Sequence, residues 1–185
     1  MKYQLKNCRT GEKAIYPTTV EIYEEGENLV FIFEAEHTKY YCPYEKYNDI
    51  HSYGDACEVL IGTDPDRKTY YEAEISPKNG LMLAKMTYCG IRDPITKEPE
   101  LIIDFVAEKD CFIQGESVIT EKGYTAKLKV KKEKVFTGAG DIYFNVYRLE
   151  TDGGELNKHL FALNPTLGDW FHVPDRYIYL KDFIK

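Results

Sequence analysis

The sequence predicts an all-β fold, an antiparallel β-sandwich of immunoglobulin-like or jelly-roll type. Three observations predict it. The stretch Tyr124-Thr-Ala-Lys-Leu-Lys-Val-Lys131 has the two-residue period of a half-buried strand, with Tyr124, Ala126, Leu128 and Val130 on one face and Thr125, Lys127, Lys129 and Lys131 on the other. Short runs rich in β-branched and aromatic residues follow one another along the chain, with turn residues between them. Amphipathic helical periodicity of useful length does not occur.

Taken in order, residues 20–24 and 28–36 flank Glu25-Gly26-Glu27 and predict a hairpin. Its second strand, Leu29-Val-Phe-Ile-Phe-Glu-Ala35, is nearly continuous in apolar residues and is expected to be the more deeply buried. Further strands are predicted at 56–61, 69–75, 81–88, 101–106, 112–120, 142–149 and 177–180. Asn79-Gly80 lies between two of them and predicts a type I′ turn, which needs φ > 0 at both central positions. Glu121-Lys122-Gly123 predicts a second tight turn. Residues 38–54 and 151–175 read as long irregular segments rich in Tyr, His, Asn and Gly, and connections of that length in a compact domain tend to carry function. Nothing resembling a repeat or a linker divides the chain, so residues 1–185 are expected to form one domain.

Composition narrows the partner. A net charge of −7 argues against nucleic acid, whose phosphates draw affinity from clustered Lys and Arg. The one basic run, Lys127, Lys129, Lys131, Lys132 and Lys134, alternates with apolar residues and reads as the solvated face of a strand. Five widely spaced cysteines without a CxxC pair predict neither a disulfide framework nor a zinc cluster. The N-terminus leads into no apolar signal core and no run is long enough to span a bilayer, so no membrane partner is expected. The expectation is a cytoplasmic protein, or a secreted one if the chain is a piece of a longer exported protein. Aromatic residues reach 14%. A β-rich fold accounts for that, and so does a stacking surface for a ligand.

Three stretches carry a family resemblance: Gly54-Asp-Ala-Cys-Glu-Val-Leu-Ile-Gly62 followed by Tyr70-Tyr-Glu-Ala-Glu-Ile-Ser-Pro77, then Phe144-Asn-Val-Tyr-Arg148, then Phe171-His-Val-Pro-Asp-Arg-Tyr177. In this order and spacing the chain, over roughly residues 15–183, resembles the family 9 carbohydrate-binding modules and their stand-alone relatives. The resemblance implies a β-sandwich that holds the end of an oligosaccharide or polysaccharide such as xylan or cellulose between two aromatic rings, with structural calcium nearby. It places the first ring beside Asp55-Ala-Cys-Glu58, at Tyr53, and the second before Pro174, where spacing favours Phe171 and residue type favours Trp170. Glu58 matches an acid that bonds sugar hydroxyls in the family, and an arginine of the next strand is replaced near Glu74.

Physical chemistry points the same way. A pyranose has an apolar C–H face and a ring of hydroxyls, so its site needs flat aromatic surface together with charged or amide groups. Tyr53, Trp170, Phe171, Glu58, Asn145 and Arg148 supply that mixture. Each also has a structural reading. Trp170 suits a core anchor, Glu58 suits an ion pair with Arg148, and His172 suits a brace for the final loop. Asn145 and Arg148 differ by three, so at most one of them faces a ligand from a single strand. Asp64 and Asp66 are candidate calcium ligands, with an Asx turn as the alternative.

Non-catalytic binding is the expected function. The alternatives are a glycoside hydrolase using Glu58 and Glu74, a haem-binding sandwich using Met82 or Met86 with a histidine, and a protein-interaction module.

Overall fold

The period-two pattern resolves into strands of a computed structural model that describes residues 1–44, 46–49, 54–136, 140–154 and 158–184. In chain order they are β1 (Lys2–Gln4), β2 (Lys6–Asn7), β3 (Thr18–Glu25), β4 (Asn28–Glu36), β5 (Ala56–Gly62), β6 (Thr69–Ile75), β7 (Leu81–Arg92), β8 (Pro99–Phe105), β9 (Ile113–Thr120), β10 (Gly123–Lys131), β11 (Tyr143–Glu150), β12 (His159–Ala162) and β13 (Ile178–Tyr179). A single helical turn, α1 (Lys132–Val135), follows β10.

The strands form two sheets, ordered β1-β3-β4-β10-β9 and β2-β12-β11-β5-β6-β7-β8, with β13 pairing β11. All their pairings are antiparallel. Hydrogen bonding of β4 to β10 and of β5 to β11 joins segments far apart in sequence, which folds the chain into the antiparallel sandwich that the alternation predicts. Phe31, Phe33 and Leu128 from one sheet meet Val59, Ile61, Ala73, Leu83 and Val146 from the other, and burying each such side chain is worth about 1.5–3 kcal/mol. Strand β10 keeps its lysines outside this core, where Lys129 pairs with Glu25, and Lys132 at the start of α1 pairs with Glu24.

The larger sheet departs from the usual antiparallel pattern of one dry and one wet face. Every residue of β5 and β11 is buried, because the segment after β12 folds back over the face that points away from the other sheet. There Phe171 and Tyr177 pack on Leu60, Tyr70, Met82, Met86 and Tyr147 in a second apolar cluster. The segment 151–175, expected to be irregular throughout, therefore contributes both the strand β12 and the cover of the sheet.

Two turns differ from expectation or repay attention. The β6–β7 connection is not type I′, since Asn79 has φ 67° but Gly80 does not take positive φ. It is a loop in which Ser76 N–H donates to the Gly80 carbonyl and the Ser76 hydroxyl accepts from Gly80 N–H, both at 2.9 Å. At the β9–β10 turn, Gly123 has φ 156°, and a Cβ there would lie 2.1 Å from the Ala35 carbonyl oxygen. Only glycine fits that approach.

Candidate functional site

The alternation that fills the core also arms the opposite face. With Cys57, Val59 and Ile61 of β5 turned inward, Glu58 and Leu60 turn outward; with Ala73 and Ile75 of β6 inward, Tyr70, Glu72 and Glu74 turn outward. Glu58 sits directly across the ladder from Glu74, and Glu72 is two residues along from Glu74 on the same face. Carboxylate oxygens of the three lie within 4.8 Å of one another.

The covering segment leaves part of this face open, as a cleft of about 540 Å³. Glu58, Glu72, Glu74, Met82 and Met86 form its floor, Leu101, Ile103 and Phe105 of β8 one flank, Leu149, Leu160 and Lys158 the other, and Trp170 with Phe171 the wall. Trp170 is half-buried, and its indole N–H donates to the Thr96 carbonyl at 3.3 Å, bridging the final segment to the β7–β8 hairpin. Arg9 and Asp169 pair at the rim beside it.

Electrostatics on the floor are unusual. Glu58, Glu72 and Glu74 are 4–6% exposed. Burial pushes the carboxyl of Glu72 up to about 8, and it holds Glu58 and Glu74 well above the ordinary carboxylate range, with repulsion from the neighbouring acids adding to it. His172 Nε2 lies 3.5 Å from Glu72, but burial and the nearby Arg92 charge lower its pKa to about 4, leaving a neutral imidazole at pH 7. Its Nδ1 is 2.9 Å from the Tyr70 hydroxyl and its carbonyl accepts from Arg92 at 3.0 Å. This ties the final loop to β6 and β7.

The predicted site residues divide. Glu58, Glu74, Trp170 and Phe171 come together at the cleft. Within the Trp170–Phe171 pair, the Phe171 ring stacks on Tyr147 and is nearly buried, so Trp170 offers the more accessible face. Asn145 lies on the same side of the sheet but is spent on structure. Its amide donates to the Tyr147 hydroxyl and the Asn164 carbonyl and accepts from Asn164 N–H, clamping the covering segment.

Arg148 is at the other face. It is fully buried toward the core, donates to Thr18 Oγ1 at 2.8 Å and to the Glu36 carbonyl at 3.1 Å, and pairs with Glu150 rather than Glu58. Register explains this, because position 148 shares its side with 146 and 150, whereas the floor is reached from 147 and 149. Tyr53 lies outside the described residues. Just beyond it, Asp55 is buried, accepts from Tyr41 N–H and Thr151 Oγ1, and thereby ties the segment before β5 to the end of β11.

Calcium does not fit Asp64 and Asp66. The two Asp64 oxygens accept from the backbone N–H groups of Asp66 and Thr69, forming a turn, and the pair falls far short of the six to eight oxygens of a calcium cage. Sequence reasoning missed Glu72, although its spacing of two from Glu74 places both on one face. The rim pair Arg9 and Asp169 joins residues 160 apart and left no local signal.

No family model and no curated protein matches this sequence. Solved structures do match in fold. A Bacteroides uniformis protein provisionally described as carbohydrate-binding superposes with a TM-score of 0.73 at 11% identity, over 96% of this chain and 84% of that one. A family 9 carbohydrate-binding module from Caldicellulosiruptor kristjanssonii in complex with glucose gives 0.61 at 9% identity, over 99% and 83%. The same organism's family 9 module in complex with cellotriose gives 0.60 at 9% identity, over 95% and 80%. The chain has the β-sandwich fold of these modules.

Proposed function

We propose that this chain is a non-catalytic carbohydrate-binding module that takes a sugar, free or at the end of a chain, into the cleft between Trp170 and the Glu58–Glu72–Glu74 floor. The observation that carries the reading is the pairing, in one cleft of about 540 Å³, of a half-buried indole with buried carboxyl groups. The indole suits the C–H face of a pyranose and the carboxyl groups suit its hydroxyls. Neighbours in fold that hold glucose and cellotriose add support.

Binding is favoured over hydrolysis by where the acids stand. A glycosidase sets its two carboxyl groups on either side of the scissile bond, about 5–10 Å apart. Here the three acids share one floor on adjacent strands, with oxygens within 4.8 Å. A haem reading is disfavoured because both ring nitrogens of His172 are engaged, by Tyr70 and Glu72.

The test is calorimetric titration with glucose, xylose, cellobiose and xylobiose, on the native chain and on Trp170→Ala. Saturable binding by the native chain, lost in the variant, is expected, with no release of reducing sugar. Silence toward every sugar of a broad glycan panel would overturn the reading.

A further inference from the structure

The three acids of the floor are more than sugar-hydroxyl acceptors need. Hydroxyls are read well by one carboxylate or by amides, and three carboxylates forced together out of water cost stability unless they take up protons or something positive joins them. Among the described residues, the carboxyl groups of Glu58 and Glu74 accept no hydrogen bond and form no ion pair, although both residues are about 95% buried and face the cleft. Glu72 has only the neutral His172 ring, at 3.5 Å. Lys158 on the flank attracts Glu58, one cation beside three acids, and burial holds all three carboxyl groups toward their protonated form.

Geometry says what shape of cation fits. Three oxygens no more than 4.8 Å apart leave a point within about 2.8 Å of all of them, the length of a charge-assisted N–H···O bond. A primary ammonium has three N–H groups to match three acceptors. A hard divalent ion instead wants six or more oxygens, which the triad supplies only if all three carboxylates bind through both oxygens, and the neighbouring floor and wall side chains Met82, Met86, Leu149, Leu160 and Phe171 add none. The carbonyls of β5 and β6 are already committed to the sheet ladders.

We infer that the cleft selects a sugar bearing a free amino group, whose ammonium sits on Glu58, Glu72 and Glu74 while its ring lies along Trp170. This rests on the carbohydrate-binding reading and names the class of sugar. Selectivity follows from the buried acids: beside a neutral sugar they stay protonated, whereas an ammonium favours their ionised form and draws protons off the floor as it binds.

The experiment compares D-glucosamine, D-glucose and N-acetyl-D-glucosamine by calorimetry at about pH 6.5, where the amine is protonated, on the native chain, Glu74→Gln and Glu72→Gln. Glucosamine is expected to bind at least about tenfold more tightly than glucose. Acetylation, which removes the charge, should abolish the preference, and either Gln variant should shrink it. Each variant removes one buried acid at nearly constant volume, and a thermal melt confirms that it folds. Equal or tighter binding of glucose overturns the inference and leaves the carbohydrate reading intact. No binding of any of the three, nor of the wider glycan panel, overturns both. Saturable uptake of Ca²⁺ or Mn²⁺ by the sugar-free chain, weakened in Glu74→Gln, overturns the inference by showing a metal site.

Discussion

The ring of Phe171 lies stacked on that of Tyr147, with centroids 4.2 Å apart and planes 21° apart, and the Tyr147 hydroxyl donates to the Phe171 carbonyl at 2.8 Å. One aromatic of the adjacent pair is thereby committed to holding the final segment on the sheet. The other, Trp170, faces the cleft. The two substitutions should separate cleanly. Phe171→Ala should cost about 3 kcal/mol of stability, read as a lower midpoint in urea unfolding. Trp170→Ala should cost under about 1 kcal/mol yet weaken sugar binding at least tenfold. A reversal of the two effects would show that Phe171 is the platform.

Arg148 should behave as a residue of stability alone. Its guanidinium is fully buried against Glu150, Thr18 and the Glu36 carbonyl, on the side of β11 away from the cleft. Arg148→Met should leave Glu150 with only the His37 ring and the Asp152 N–H as partners and lower stability by about 3–5 kcal/mol. At a temperature where the variant is folded, its sugar affinity should match the native chain. Restoration of stability by the double variant Arg148→Met, Glu150→Gln would confirm that the loss came from the stranded charge.

Stability should fall as pH rises from about 6.5 to 8. Burial lifts Glu72 from 4.5 to about 8, and burial with the Glu150 charge lifts Asp55 from 3.8 to about 7. For both, the protonated form is favoured on folding. Their contributions are complete below the ordinary carboxylate values and are lost as pH climbs through the raised ones. His172 acts oppositely, since its depressed value contributes stability above 6.5 that is lost as pH falls toward 4. Above 6.5 only the carboxyl slope remains, a loss on the order of 2 kcal/mol by pH 8. Urea unfolding at pH 6.5, 7.25 and 8 should show it, and Glu72→Gln should flatten it. A native profile that rises over this window would contradict the assignment.

Gly123→Ala should be among the costliest of small substitutions, about 3 kcal/mol. The new methyl would meet the Ala35 carbonyl oxygen at 2.1 Å, in the ladder that joins β4 to β10. Gly26→Ala at the β3–β4 turn, where a Cβ meets nothing within 4 Å, should cost less, because only its positive φ opposes it. Thermal melts of the two variants give the comparison directly.

The sequence by itself determined the strands and therefore which residues share a face. Alternation along 124–131, 56–61 and 69–75 is a local property of the backbone pleat, so the sandwich, and the grouping of Glu72 with Glu74, were legible without coordinates. The short β1, β2 and β12 were not legible, because two to four residues carry too little pattern and their pairing partners lie far along the chain. The tertiary structure alone decided which face received what. It set Glu58 across from Glu74, turned Arg148 into the core against Glu150, and laid residues 163–180 over the sheet so that Phe171 was buried and Trp170 kept a free face. Those outcomes depend on register between distant strands and on the path of a covering segment, and the two-residue period says nothing about either.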